Sequence, residues 1–215
     1  MKKIRFGMGG ILMIAAMLVS DSAAVLAVYV LAAVFHELGH FLAAKVLKIE
    51  IKEVVFSFSG VRIMTEERLT SYKQEFALAL AGPMANLLIF GTACAAFCLA
   101  GSDLQGVFEA AEAFFIGDFG NKRGIIGFLA LSSLTQAIMN LLPVNSFDGG
   151  RMIYCAVADM KDQYAAERLV SVLSAFSAFF LWTAALYVML KIGAGLGIYV
   201  FAACIFLSCL NSEKM

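Results

Sequence analysis

AAVLAVYVLAAVFHELGHFLAAKVL, residues Ala23–Leu47, is an apolar run in which the only acidic or basic side chains are His36, Glu37, His40 and Lys45. It exceeds the roughly 20 residues a helix needs to cross about 30 Å of hydrocarbon. Placing an ionisable group in such a helix costs about 2.5–3.5 kcal/mol on insertion scales, so these residues are functional by default. A polar cluster that only glues helices together is the rival reading, but Asn or Ser would do that at lower cost. His36 and His40 are the only two histidines of the chain. At i and i+4 they share one helix face and can grip one metal ion. Glu37 stands beside them, where it could deprotonate a water activated by zinc. A water-activating site in an apolar segment points to hydrolysis of a bond inside or at the edge of a bilayer.

The rest of the chain agrees with a membrane setting. It is 62% hydrophobic and 15% charged, with mean hydropathy +0.88. Soluble domains are typically about 45–50% apolar and about 25% charged. The formal net charge is zero, so no basic excess suggests a nucleic-acid partner. Cys94, Cys98, Cys155, Cys204 and Cys209 all lie in apolar surroundings without a Cys-x-x-Cys pair. They read as small hydrophobes, not as disulfides or thiolate ligands.

Six apolar segments are expected: Phe6 to Val19, Ala23 to Leu47, Phe76 to Ala100, Gly124 to Leu142, Leu169 to Leu190 and Gly193 to Leu210. The first is short and, behind Lys2, Lys3 and Arg5, mimics a signal peptide. Six spans nevertheless give a consistent topology. With the N-terminus in the cytoplasm, thirteen of the 16 Lys and Arg fall on the cytoplasmic side, leaving Lys122, Arg123 and Lys191 outside. That is the bias of the positive-inside rule, and it puts both termini of a multi-pass cell-membrane protein in the cytoplasm.

Two connections have character of their own. Lys48 to Met64 is rich in β-branched and aromatic residues, with Ile49, Glu50, Ile51 and Lys52 alternating and Gly60 available for a turn. It reads as one or two strands at the cytoplasmic face. Between Asp103 and Gly117, the residues Val107, Phe108, Ala111, Phe114 and Phe115 fall on one helical face, as in a helix lying in the outer interface. The expected fold is thus an all-α membrane protein of six transmembrane helices, with a small strand or hairpin element between the second and third. The whole of 1–215 reads as a single polytopic domain.

A catalytic zinc usually has three protein ligands and one open position. Asp148 is the best third ligand, in Asn140-Leu141-Leu142-Pro143-Val144-Asn145-Ser146-Phe147-Asp148-Gly149-Gly150-Arg151. Pro143 stops the preceding helix. Gly149 and Gly150 permit positive φ, so a sharp turn just past the carboxylate is expected. Irregular backbone at membrane depth is tolerated only when buried in protein or lining a wet cavity. A plain Asp-Gly-Gly surface turn is the alternative. Charge favours the ligand reading: neutral His36 and His40 with ionised Glu37 and Asp148 carry two negative charges, which one Zn²⁺ per chain cancels. His40 lies five residues before Lys45, about 7–8 Å at 1.5 Å per residue, and Asp148 three before Arg151. Both motifs therefore sit nearer the cytoplasmic surface than the bilayer centre. In Gly82-Pro83-Met84-Ala85-Asn86, proline loosens the third segment and Asn86 puts an amide in hydrocarbon. Asn86 reads either as interhelical glue or as a contact to substrate or to a neighbour of a zinc ligand.

His36-Glu37-Leu38-Gly39-His40, the Gly-Pro-x-x-Asn of 82–86 and the Asn-x-x-Pro…Asp-Gly-Gly of 140–150 occur together and in order. In this the chain resembles the site-2 proteases, which are intramembrane zinc metalloproteases, and its layout is similar to their bacterial branch that includes the stage-IV sporulation protease. The resemblance implies His36, His40 and Asp148 as zinc ligands and Glu37 as general base. It implies that Asn140 and the loop after it, including Pro143 and Gly149, contact substrate or support the site, with Asn86 close by. It also implies regulated cleavage of a membrane-spanning or membrane-associated protein in the lipid bilayer, with a strand edge pairing to unwound substrate. Ser146 stands where many members carry a second loop proline, which bears on loop shape. Neither a PDZ insertion nor a C-terminal nucleotide-sensing domain is expected. Two other functions use the same residues: a metal transporter with His and Asp as a transit site, and an inactive relative that binds without cutting. Substrate, regulator and oligomeric state are not legible in the sequence.

Overall fold

The structure, a computed structural model, describes residues 3–6, 22–49, 51–57, 60–65 and 71–192. The first and sixth apolar segments of the sequence reading lie outside these residues, apart from Phe6. Among the described residues, six helices form the body. Four are long and apolar enough to cross a membrane: α1 (Ala23–Val46), α2 (Tyr72–Leu99), α4 (Lys122–Leu141) and the Gln163–Tyr187 part of α6 (Gln163–Ile192). Two shorter helices, α3 (Leu104–Phe115) and α5 (Asp148–Met160), join them.

Local chemistry sets the ends. Ser22 caps α1 by accepting from the Val25 amide, and Ser71 with Gln74 forms a reciprocal capping box at the start of α2. Asp103 and Asn121 cap α3 and α4 in the same way. The ends of α2 and α3 turn on left-handed glycines, Gly101 (φ 78°) and Gly117 (φ 117°). At each, the residue after the glycine bonds back into the last turn: Ser102 to the Phe97 carbonyl at 2.9 Å, Asp118 to the Ala113 carbonyl at 3.0 Å. Only glycine takes that conformation without strain. Leu142 leaves α4 in an extended conformation ahead of Pro143, so the expected stop falls where proline disfavours helix in the residue before it.

Backbone pairing joins β1 (Lys3–Phe6), β2 (Ile51–Ser57) and β3 (Gly60–Thr65) in the order β1-β2-β3, parallel between the first two and antiparallel between the last two. Lys3-Ile4-Arg5-Phe6 alternates polar and apolar, the two-residue period of a strand. Read for charge alone, it passes as the lead into the first apolar segment.

Helix α2 is the hub, packed against α1, α3, α4 and α5. The α3–α4 seam closes at Gly127, where a Cβ would come within 2.8 Å of the Val107 carbonyl oxygen and 3.0 Å of the Ala111 nitrogen. Of the apolar face read for α3, only Val107, Ala111 and Phe114 are buried; Phe108 and Phe115 stay 49% and 56% exposed. A face that wide has a packed centre and an outer edge, and the two outer phenylalanines are left for hydrocarbon or interface. We expect Gly127→Val to force α3 off α4 and to cost about 1–3 kcal/mol, as overpacking does. Thermal unfolding in detergent checks this; an unchanged Tm would contradict it.

Candidate metal centre

One face of α1 presents both imidazoles to the interior, buried and edge-to-face with ring centroids 4.8 Å apart. Their Nε2 atoms stand 3.2 Å from each other. Asp148 Oδ2 comes from the first residue of α5 and lies 3.0 Å from His36 Nε2 and 3.3 Å from His40 Nε2. Atoms about 2.0–2.1 Å from a tetrahedral zinc stand about 3.3–3.4 Å apart. The three edges of this triangle match that spacing to within a few tenths of an ångström, so the trio fits a divalent ion of that size. The Asp148 side chain keeps 18% exposure, while its Oδ2 atom is buried. Burial, the largest influence on Asp148, pushes its carboxyl up, but hydrogen bonds from His36 and His40 and their charge outweigh it and hold it below the usual carboxylate range. Asp148 therefore arrives ionised, as a ligand must.

The approach of the three elements depends on missing side chains. A Cβ on Gly82 of α2 would land on His40 Nε2 and His36 Nε2. One on Gly39 of α1 would meet the Ala81 carbonyl oxygen at 2.5 Å. Cβ atoms on Gly149 and Gly150 would strike the Leu141 and Val144 carbonyls. This corrects the expected sharp turn after Asp148. Neither glycine has positive φ; both are helical, and they are small so that α5 can start against the end of α4. A Gly-Gly pair in a sequence signals either conformational freedom or lack of bulk, and here bulk decides.

Supporting contacts extend outward. His40 Nδ1 donates to the Leu78 carbonyl at 2.8 Å. The carbonyl that loses its helical donor to Pro83 is the next one along α2, that of Ala79. Asn86, fully buried, sits behind His36 with its amide nitrogen 3.4 Å from Nδ1. Glu37 Oε2 is buried without a hydrogen-bond partner. Asn140 is not brought to the trio: its amide donates to the Gln136 carbonyl of its own helix at 3.0 Å. Pro143 also stays outside it; its carbonyl accepts from Ser174 of α6 at 3.4 Å, and Ser174 Oγ accepts from the Asn145 amide at 2.8 Å, pinning the loop. Arg151 and Glu75 pair at 3.6 Å between α5 and α2. Cys155 donates weakly to Glu75, and burial with that neighbouring charge pushes its thiol up to about 11, which makes it no nucleophile at neutral pH.

The sequence reading passed over Gln136, Ser174 and Gly82's role as the floor under the imidazoles. Gln136 had a signal, an amide in an apolar segment; Ser174 had none beyond being a hydroxyl in one.

A family model described as Peptidase family M50 matches residues 23–184. The chain belongs to peptidase family M50, the site-2 protease family. Over 121 residues it is 31% identical to a protein of Synechocystis sp. described as a zinc metalloprotease; the match covers 56% of this chain and 27% of that relative. The chain thus spans about a quarter of the length of that relative. It shares its fold with the site-2 protease from Methanocaldococcus jannaschii, with a TM-score of 0.64 at 17% identity across 99% of this chain and 91% of that one. An M50 chain is expected to hold zinc, and the donor set described above, two imidazoles and a carboxylate, suits it.

Gly82→Ala puts a methyl carbon against both Nε2 atoms. We expect it to weaken zinc binding about 10- to 100-fold, the scale of other disturbed metal surroundings. Competition with a chelator on detergent-solubilised protein measures it, and wild-type affinity in the variant would show that α2 does not set the imidazole positions.

Proposed function

We propose that this M50 chain is an intramembrane zinc metalloprotease that cleaves membrane-spanning or membrane-associated proteins, with His36, His40 and Asp148 as the metal ligands. The observation that carries the reading is the triangle of two buried imidazole nitrogens and one carboxylate oxygen, delivered by α1 and α5 at tetrahedral spacing. Zinc, when bound there, supplies Lewis acidity that polarises a scissile carbonyl and acidifies water.

Glu37 does the proton work. Its buried Oε2 has no partner to compete for the proton it takes from water. As the water oxygen bonds to the carbonyl carbon and the C–N bond breaks, Glu37 returns that proton to the leaving nitrogen. The substrate helix must unwind first, because helical amides are internally bonded and shielded. The edges of the sheet, β1 and β3, supply main-chain partners for an unwound strand, since β2 lies between them. Asn140 and Pro143 shape the segment before Asp148, and Gly149 just after it lets α5 start against the end of α4. The Lys and Arg bias puts the trio toward the cytoplasm, the side from which water enters, in a cell-membrane protein of six spans with both termini inside.

Co-expression with a single-span test substrate decides the matter. Glu37→Gln is expected to keep one zinc per chain and to lose cleavage by a factor of about 10²–10⁴. Cutting at the wild-type rate would remove Glu37 from the mechanism. Transport of zinc into proteoliposomes with every substrate intact would favour the transporter reading.

A further inference from the structure

The segment 142–147 crosses from α4 to α5 and ends beside Asp148, so its shape decides where that carboxylate arrives. It is irregular backbone at membrane depth, where an unpaired polar group is costly. Two bonds lie within it: the Val144 amide donates to the Leu142 carbonyl and the Phe147 amide to the Val144 carbonyl, both at 2.8 Å. The second closes a turn over Val144–Phe147, with Asn145 and Ser146 at its corners. The Asn145 amide and the Pro143 carbonyl, on either side of a fully buried Val144, take no part in these bonds. One side chain meets both. Ser174 of α6, itself only 1% exposed, accepts from the Asn145 amide at 2.8 Å and donates to the Pro143 carbonyl at 3.4 Å. One turn further along α6, Ala178 packs against Val144 and Phe147. From the other side α5 closes in: a Cβ on Gly150 would strike the Val144 carbonyl and come within 3.0 Å of the Asn145 nitrogen. The segment is thus held between α6 and the start of α5.

We propose that Ser174 is a positioning residue for the metal: its hydroxyl fixes the segment in the shape that brings Asp148 Oδ2 to 3.0 and 3.3 Å from the imidazoles. The proposal rests on reading His36, His40 and Asp148 as the metal site. Ligand distances tolerate only about 0.2 Å. Asp148 follows Phe147 directly, so a segment that leaves α6 carries the carboxylate with it. Without the hydroxyl, a buried N–H has no acceptor, and the segment gains by moving away to find one. Affinity for the ion then falls with the fraction of chains that keep the bound shape. Helix α6 supplies none of the three ligands, yet through Ser174 it sets the place of one.

Chelator competition on the full chain in detergent tests this. Ser174→Ala is expected to bind zinc about ten- to thirtyfold more weakly. Ser177→Ala, the same change at a half-buried hydroxyl of the same helix, is expected to bind as wild type. Wild-type affinity in Ser174→Ala, or an equal loss in Ser177→Ala, would overturn the proposal. Asn145→Pro supplies the arm that packing alone would not move. Position 145 is the second of the turn, where proline is favoured, and proline has no N–H to leave unpaired. Added to Ser174→Ala, it is expected to restore affinity to within about threefold of wild type, because donor and acceptor are then gone together. A proline in the loop does not refill a gap beside α6, so a double variant as weak as Ser174→Ala would assign Ser174 a packing role and overturn the proposal. In the metal-free protein, deuterium uptake by the amides of 141–147 is expected to quicken about tenfold in Ser174→Ala. An unchanged rate would show that the hydroxyl does not hold the segment. A wild-type chain that takes up no zinc would sink the metal reading, while the exchange rates still decide whether Ser174 holds the segment.

Discussion

Two imidazole nitrogens and a carboxylate oxygen converge within 3.3 Å of one another in a buried corner of a membrane protein. Each was hydrated in the unfolded chain, and none finds there the number of hydrogen bonds it lost. Burying such groups costs several kcal/mol unless charge and lone pairs are met. A divalent cation meets all three at once. The helix packing serves that convergence: α1 supplies two atoms at a spacing its own pitch fixes, and α5 must bring the third to them across the end of α4.

Bringing it there is a matter of excluded volume. Gly39 and Gly82 let α1 and α2 touch at the depth of the imidazoles, and Gly149 and Gly150 let α5 begin against the Leu141 carbonyl at the end of α4 and the Val144 carbonyl in the loop after it. At these places a methyl group overlaps backbone or a ligand atom, and interiors packed to crystal density have little slack to give back. The same closeness carries polar support: the Leu78 carbonyl reaches His40 only because α2 lies so near α1.

Much of this was legible in the sequence. The runs at Ala23–Leu47, Phe76–Ala100, Gly124–Leu142 and Leu169–Leu190 became α1, α2, α4 and α6 within a few residues at most ends. Hydrocarbon leaves helix as the only open-chain way to satisfy the backbone. His36, His40 and Asp148 were legible because charge in such a setting needs a reason. The secondary structure of Asp148 was not. Glycine is equally at home in a turn and at a close contact, and only the position of α4 tells the two apart. The start of α6 at Gln163, six residues before its apolar run, was hidden too. Its first turn is set by the Asp162 side chain accepting from the Ala165 amide at 2.7 Å, a local bond that hydropathy does not register. Gln136 was hidden for a different reason: its partners, Tyr29 and Asn86, are distant in sequence and near only once α1, α2 and α4 are packed.

The division of ligands between elements has a consequence for the whole molecule. His36 and His40 cannot separate without unwinding α1, but Asp148 rides on a helix of 13 residues, too short to cross the bilayer and so without the hydrocarbon's constraint on its depth. What fixes α5 is packing against α2 and α6, with Cys155 and Ala158 buried, together with Arg151 against Glu75 of α2 and the loop before it clasped by Ser174 of α6. Half-exposed ion pairs contribute only about 0–1 kcal/mol. The position of Asp148 therefore depends on how α5 and the loop before it seat against the spanning helices α2 and α6.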